Sequence, residues 1–128
     1  MHTEIKPSTV GQTAAKYAHA ILTENPTRWV HTSGVIPVAA DGSTPVDAVE
    51  QAQLVWANIA AMLAEAGMGP ADVIATVSYI VVGSGDVRTI MGAREAYLGG
   101  RHASSTVVPV QSLVHPDWLV EVSVIAAQ

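Results

Sequence analysis

The chain has 128 residues, of which 49% are hydrophobic and 13% are charged, and its formal net charge is -5 at pH 7. This composition excludes intrinsic disorder, and the length is that of a single domain, residues 1–128. The acidic balance argues against nucleic acid or an anionic membrane as the main partner. There is no cysteine, which excludes disulfides, thiolate metal sites and cysteine nucleophiles. Phenylalanine is also absent, so the apolar residues are mostly small aliphatic ones, which predicts close backbone packing or a surface covered by copies of the chain.

The N-terminal segment MHTEIKPSTV lacks the basic start and the apolar run of a signal peptide. The longest apolar run, Val73 to Val82, is half as long as a membrane span, which needs about twenty residues. We therefore expect a cytoplasmic protein that does not enter a membrane.

Two strands are predicted in the first third of the chain. Tyr17 to Thr23 and Trp29 to Val38 are rich in strand-forming residues and flank the turn cluster at 25–27, which predicts that they pair as a hairpin. Asp41 and Gly42 mark a second turn.

A helix is predicted after this turn. Thr44 is a favourable N-cap, Pro45 suits the first helical position, and Gly67 is the stop signal. Apolar residues recur along one side of this helix, at Val49, Trp56, Ile59, Ala60 and Leu63.

The rest of the chain predicts a central strand, a second helix and two final strands. Val73 to Val82 is apolar on both faces, as in a buried strand. The helix, from about Asp86 to Leu98, carries Val87, Ile90, Met91 and Arg94 along one side, and glycines end it. The last strands are Ser104 to Gln111 and Trp118 to Ala127. The order β-β-α-β-α-β-β predicts an α+β fold, a single mixed sheet packed by two helices on one face.

Glu121 is the candidate for chemistry. It interrupts the apolar strand LVEVSVIAA and shares a face with Leu119, Ser123 and Ile125, because side chains alternate along a strand. A carboxylate is rarely buried without a partner, so this face opens onto water or a cleft, or the carboxyl holds a proton or a cationic partner. An edge-strand charge that discourages aggregation is the structural alternative.

Two other segments could contact a ligand. Ser33 precedes Gly34 inside a predicted strand, where a glycine indicates a bulge or a close approach of the backbone to another group. The stretch from Arg101 to Thr106 could hold a small anion with its amides and hydroxyls. A simple bulge and a flexible loop are the alternatives.

No motif predicts a metal or another cofactor. The five histidines show no HxH or HExxH spacing, and Walker, dinucleotide-binding and nucleophile-elbow motifs are absent. His19 and His31 flank the predicted hairpin and could become neighbours across it, with a hydrogen-bonded, half-buried histidine as the alternative. We expect an enzyme or binding protein without a cofactor.

Segments from about Ala14 to Ala127 resemble the Rid/YjgF family of enamine/imine deaminases. AKYAHAI resembles GPYSQAV, HTSGVIPVAADG resembles TSGQIPxDxxG, and LAEAGMGPADV resembles LxxAGxxxxDV. DVRTIMGAREAYLGG resembles DFxxxNxxYxxYFGG, and SSTVVPVQSL followed by DWLVEVSVIA resembles RSTVxVxxLPxxxLVEIExIA. The resemblance implies a chorismate-mutase-like fold that assembles as a homotrimer, with clefts between the subunits.

The resemblance also implies a reaction, the hydrolysis of a reactive 2-imino acid to a 2-keto acid and ammonia. It places Tyr17, Ser33 and Gly34 against the ligand, and Glu121 where it positions or activates water. The turn of the family's Arg-Ser-Thr sequence, which also holds the ligand, aligns with Ser104, Ser105 and Thr106.

The chain departs from the family at the arginine that clamps the substrate carboxylate, where it has Ser104. A charge-assisted hydrogen bond contributes about 1.5–3 kcal/mol and a neutral one about 1 kcal/mol, so serine is a poor replacement. Arg101 is displaced by about 10 Å and emerges on the other face of an extended chain. Arg94, at the position of a family tyrosine, could replace the clamp, and Met91 stands where the family has asparagine.

These differences predict poor activity on ordinary 2-aminoacrylate. The predicted function is hydrolysis of a small imine or enamine that is neutral, larger or differently anchored. The alternatives are a trimer that binds a small molecule without hydrolysing it, and an enzyme that uses Glu121 as general acid/base in another reaction.

Overall fold

The computed structural model describes residues 1–128. Six strands and two helices follow one another as β1 (His2–Ile5), β2 (Ala20–Thr23), β3 (Trp29–His31), α1 (Ala48–Glu65), β4 (Val73–Val81), α2 (Val87–Leu98), β5 (Ser104–Val110) and β6 (Val120–Ala127). A single 3-10 turn, Pro70–Asp72, precedes β4. Neither helix has the length and apolar composition needed to cross a membrane.

Four strands form a mixed sheet in the order β3-β6-β4-β5. β4 is parallel to β5 and antiparallel to β6, and β3 is antiparallel to β6. The central position of β4 agrees with its apolar residues on both faces. The predicted fold, two helices packed on a mixed sheet, is confirmed.

The predicted N-terminal hairpin is wrong. β2 pairs with β1, a strand that the sequence did not predict, and β3 pairs with β6. Because β1 and β2 form their own two-stranded sheet, the strands do not all belong to a single sheet. The amides of Thr27 and Arg28 donate to the carbonyl of Gln128, so the chain between β2 and β3 continues the pairing with β6 instead of closing a hairpin.

An aspartate side chain caps the N-terminus of each helix. Asp47, and not the predicted Thr44, is the N-cap of α1, and its carboxylate accepts the amide of Glu50 at 3.1 Å. Pro45 precedes the helix, and its carbonyl accepts the side-chain amide of Gln51 at 2.8 Å. At α2, Asp86 caps the amide of Thr89, close to the predicted start.

The core lies between the helices and one face of the sheet. It includes Val55, Ile59 and Leu63 of α1, together with the alternate valines of β6, 120, 122 and 124. Each such side chain contributes about 1.5–3 kcal/mol when fully buried. Because side chains alternate along β6, Glu121 and Ser123 lie on the opposite face, which the helices leave uncovered.

Candidate functional site

Glu121 lies in the middle of β6, directly opposite Tyr79 of β4. Its side chain is half-buried on the uncovered sheet face. It takes part in none of the side-chain hydrogen bonds or ion pairs within the chain. β6 lies between β3 and β4, so the edge-strand explanation for this charge is wrong. Glu121 is therefore a carboxylate available to a ligand or to a second chain.

A β-bulge brings Gly34 against this carboxylate. The amide of Thr32 donates to the carbonyl of Val124 at 3.0 Å, and that of Val35 donates to the carbonyl of Val122 at 2.7 Å. Between these two hydrogen bonds, Ser33 and Gly34 lie opposite a single residue of β6. A Cβ on Gly34 would lie 2.7 Å from the Cδ of Glu121 and would collide with its Oε2. Glycine is thus required for the carboxylate to lie where it does. The close approach predicted for this glycine is with Glu121 of the same chain.

Ser33, the other residue of the bulge, is exposed and borders a mainly apolar groove of about 730 Å³ between the bulge and α1. Asn58 of α1 supports this groove, because its side-chain amide donates to the carbonyl of Val38 at 3.1 Å and weakly to that of Ile36 at 3.4 Å. The sequence did not point to Asn58. Its position off the apolar stripe of α1 was the only signal.

Arg94 forms a second polar centre, on the helix side of the sheet. The residue is only 3% exposed. Its Nη1 donates to the Oγ of Ser105 at 2.6 Å, and its Nη2 donates to the carbonyl of Lys16 at 3.2 Å. Its Nε is buried and has no hydrogen-bond partner. Burial lowers the pKa of Arg94 from its usual value, although the nearby Glu95 carboxylate acts in the opposite direction.

A cavity of about 530 Å³ opens beside Arg94. Tyr17 and Ser105 line it, as do the cationic side chains of Lys16 and Arg88. The structure therefore brings together Tyr17, Ser105 and Arg94, three of the residues that the sequence singled out.

The two polar centres do not meet within one chain. Ser105 is in register with Thr76, which faces the helices, whereas Thr106 is in register with Val77 and lies on the face of Glu121. Two strand spacings, about 10 Å, separate β6 from β5, and the sheet itself lies between the two centres. One small molecule can touch both centres only if two copies of the chain contribute to the site.

Ser104 makes a side-chain hydrogen bond and a backbone bridge within the chain. Its Oγ donates to the carbonyl of Ile74 at 3.0 Å, and its backbone is bridged to Ala18. Arg101 is exposed and does not line the cavity of Arg94, so it takes no part in that centre. The structure thus leaves Arg94 as the only one of the two candidate arginines that lines this cavity.

His19 and His102 line one surface cavity, and His31 lies elsewhere, at the groove beside Ser33. Nε2 of His19 lies 2.6 Å from the carbonyl of Gly11, and Nδ1 of His102 lies 3.3 Å from Oε1 of Glu4. His31 borders the groove at Ser33, so the predicted neighbourhood of His19 and His31 across a hairpin is wrong. No group of three or more histidine and acidic side chains lies close enough to hold a metal ion.

The sequence model of the family described as "Endoribonuclease L-PSP" matches residues 8–128. The chain belongs to this family. It is 36% identical over 81 residues to a RutC family protein of Haemophilus influenzae. That match covers 62% of the chain and 57% of the relative, so it spans little more than half of the relative's length.

Solved structures of family members have the same fold. YyfB of Yersinia pestis, a Rid family protein of unknown function, is 27% identical with a TM-score of 0.88, over 99% of this chain and 98% of its own. TdcF of E. coli, solved with bound serine, is 25% identical with a TM-score of 0.72, over 98% of each chain. The resemblance to the Rid/YjgF family and its chorismate-mutase-like fold are thereby confirmed.

Proposed function

We propose that the protein hydrolyses a small imine or enamine in a cleft between two copies of the chain, with Glu121 as its catalytic residue. The observation that carries the proposal is the Glu121 carboxylate, which has no partner within the chain and which Gly34 accommodates by lacking a Cβ. Membership of the family and the serine bound by its relative TdcF support a small, amino-acid-like ligand.

The proposed reaction needs two rounds of proton transfer through Glu121. In the first, Glu121 accepts a proton from a water molecule while the water oxygen attacks the imine carbon, and it returns this proton to the nitrogen to give a carbinolamine. In the second, Glu121 accepts the hydroxyl proton and donates it to the amine nitrogen, the C–N bond breaks, and ammonia leaves as the carbonyl forms. Imine and water are thus converted to ketone and ammonia, with no oxidant or reductant. A half-buried carboxylate suits this role because it is shielded from bulk water but still reachable by a ligand.

The cleft requires a second copy, because the Glu121 centre and the Arg94 centre lie on opposite faces of the sheet. We propose the homotrimer that is typical of the family. The uncovered face carries half-buried apolar side chains, including Tyr79 and Val108, which a neighbouring copy would cover. Sedimentation should give about three times the chain mass of 13.3 kDa. A stable monomer that hydrolyses imines would contradict the shared cleft.

The family description also names an endoribonuclease. The formal net charge of -5 argues against binding of a phosphate backbone. Incubation with labelled single-stranded RNA separates the two functions. Cleavage that the Glu121→Gln variant loses would assign the carboxylate to RNA and overturn the imine proposal.

The proposal is tested by single-turnover decay of imines. An amino-acid oxidase generates 2-imino acids of several sizes, and the decay of each is followed with and without the protein. Glu121→Gln should slow the catalysed decay at least about 100-fold, since general acid–base catalysis typically supplies 10²–10⁴-fold. Ser123→Ala is the matched control, because Ser123 lies two residues along the same strand on the same face. Equal decay with wild type and Glu121→Gln would contradict the proposed role of Glu121.

A further inference from the structure

A polar cavity of about 420 Å³ opens between β1, the 3-10 turn before β4 and the turn that follows α2. It shares no lining residue with the cavity of Arg94. Its charged and titratable side chains are His2, Glu4, Lys6, Arg101 and His102. Two of the chain's six lysines and arginines thus line this cavity, but only one of its eleven acidic residues. The cavity wall is therefore cationic, although the chain has a formal net charge of -5.

The single carboxylate of this wall, Glu4, is shared between two cationic groups. Its Oε2 lies 3.1 Å from Nζ of Lys6, and its Oε1 lies 3.3 Å from Nδ1 of His102. An ionised carboxylate can only accept, so Nδ1 of His102 carries the hydrogen of this contact. Nε2 of His102 takes part in no hydrogen bond within the chain, and the side chain is 34% exposed. When His102 is protonated, Nε2 is therefore a donor available to a ligand.

Arg101 supplies further donors that nothing in the chain accepts. Its side chain is exposed and takes part in none of the ion pairs within the chain. Its backbone is fixed, because its amide donates to the carbonyl of Leu98 at 3.1 Å and the two preceding glycines, both with positive φ, turn the chain after α2. The second of them, Gly100, also lines the cavity. The turn therefore holds Arg101 and His102 at the same cavity as Lys6.

We propose that this cavity binds a phosphate group, free or at the end of a short phosphomonoester, through Lys6, Arg101 and His102. A phosphate has three or more acceptor oxygens and up to two negative charges, so a guanidinium, an ammonium and an imidazolium can donate to it together. A carboxylate has two oxygens and one charge. The remaining side chains of the wall are apolar and would contact the carbon chain of an ester: Ile21, Pro70, Ala71 and Val73. The site is separate from the proposed imine cleft.

The test uses sulfate, a tetrahedral dianion whose charge does not change between pH 6 and pH 8. Its binding to the full chain is followed by the NMR shift of the Gly100 amide, which lies in the cavity wall. Arg101→Gln should weaken binding about three- to fivefold, the effect of losing one exposed charge-assisted contact. Arg88→Gln removes the same charge from an exposed position outside this cavity, and the affinity should stay within about 1.5-fold. Absence of a saturable shift in wild type would overturn the proposal.

Glu4→Gln should have the opposite effect. The Glu4 carboxylate competes with the anion for Lys6 and His102, so its removal should tighten sulfate binding about three- to fivefold. Glu24→Gln is the matched control, because Glu24 is exposed, makes no ion pair and does not line the cavity. Weaker binding in Glu4→Gln, or equal tightening in both variants, would contradict the proposed competition.

The pH dependence tests His102. The charged and titratable groups that line the cavities around it are His2, Glu4, Lys6, Lys16, His19, Glu95 and Arg101. Among side chains of these types, only histidine ordinarily changes its charge between pH 6 and pH 8, and it gains a positive charge as the pH falls. Sulfate should therefore bind at least about fivefold more tightly at pH 6 than at pH 8. His102→Gln should reduce this ratio below about twofold, and an undiminished ratio would overturn the role of His102.

Two phosphates then distinguish the sources of the ligand. Inorganic phosphate and propyl phosphate are compared at pH 8, where both are mainly dianions. Tighter binding of propyl phosphate would assign the cavity to a phosphomonoester, and equal affinities would assign it to free phosphate. Acetate that binds as tightly as sulfate would overturn the assignment of a phosphate. None of these measurements involves imine decay, so the outcome is independent of the proposed function.

Discussion

Gly34→Ala should separate activity from stability. Gly34 does not have a positive φ, so alanine can adopt its backbone conformation without strain. The added Cβ would instead lie 2.7 Å from the Cδ and 3.0 Å from the Cγ of Glu121. Real Cβ contacts are longer than this, so the carboxylate has to move by about 1 Å or change rotamer.

The expected losses of stability and of kcat depend on which side chain has to move. The side chain that yields is half-buried and has no hydrogen bond to lose, so the free energy of unfolding should fall by only about 1 kcal/mol. This corresponds to a fall of about 4 °C in Tm. Catalysis should fall far more, by about 100-fold in kcat, because a displacement near 1 Å of a catalytic group has that effect.

The assay is imine decay, together with thermal denaturation of the same samples. Gly92→Ala is the matched control, because Gly92 lies within α2 and its added Cβ would meet nothing within 4 Å. That variant should gain about 0.5–1 kcal/mol of stability and keep its activity. The double variant Gly34→Ala/Glu121→Gln should be no slower than Glu121→Gln alone. Wild-type kcat in Gly34→Ala, or an additive loss in the double variant, would refute the reasoning.

Two further changes test other parts of the molecule. Ser104→Arg restores the family's clamp and should accelerate hydrolysis of 2-aminoacrylate, generated from serine by a dehydratase, about tenfold or more; an unchanged rate would mean that the missing arginine does not limit the wild type. Hydrogen bonds from the hydroxyl and amide of Thr89 hold the pKa of Asp86 below its usual value, so this carboxylate stabilises the fold above about pH 4 and the contribution disappears as the pH falls through the lowered pKa. In Asp86→Asn, which keeps a capping side chain but cannot titrate, urea denaturation should show a smaller loss of stability on acidification than in wild type, and equal losses would contradict this role.

The helices and the central strand could be predicted because their signals are local. The apolar stripe of α1, the glycines that end α2 and the two apolar faces of β4 all depend on neighbouring residues. The pairing of β2 and β3 could not be predicted in this way. Their partners, β1 and β6, are separated from them in sequence, and a strand's partner depends on packing of the whole chain.

Some features of the candidate site could likewise be predicted from local sequence, and others could not. The strand period by itself placed Glu121 on the face opposite the core valines, and the glycine at 34 by itself indicated a bulge or a close contact. The sequence also placed Arg94 on the same side of α2 as Ile90 and Met91. These inferences needed only the geometry of one strand or one helix.

Only the tertiary structure decided which of these residues meet. It put Gly34 against Glu121, and it put Arg94 and Ser105 on the other side of the sheet, where both line a cavity. Such contacts join residues that are far apart in sequence, and their distances depend on strand order and register. A composition with many small aliphatic residues had already suggested a surface for copies of the chain. The two centres lie on opposite faces of the sheet, so one small molecule could contact both only where copies of the chain meet.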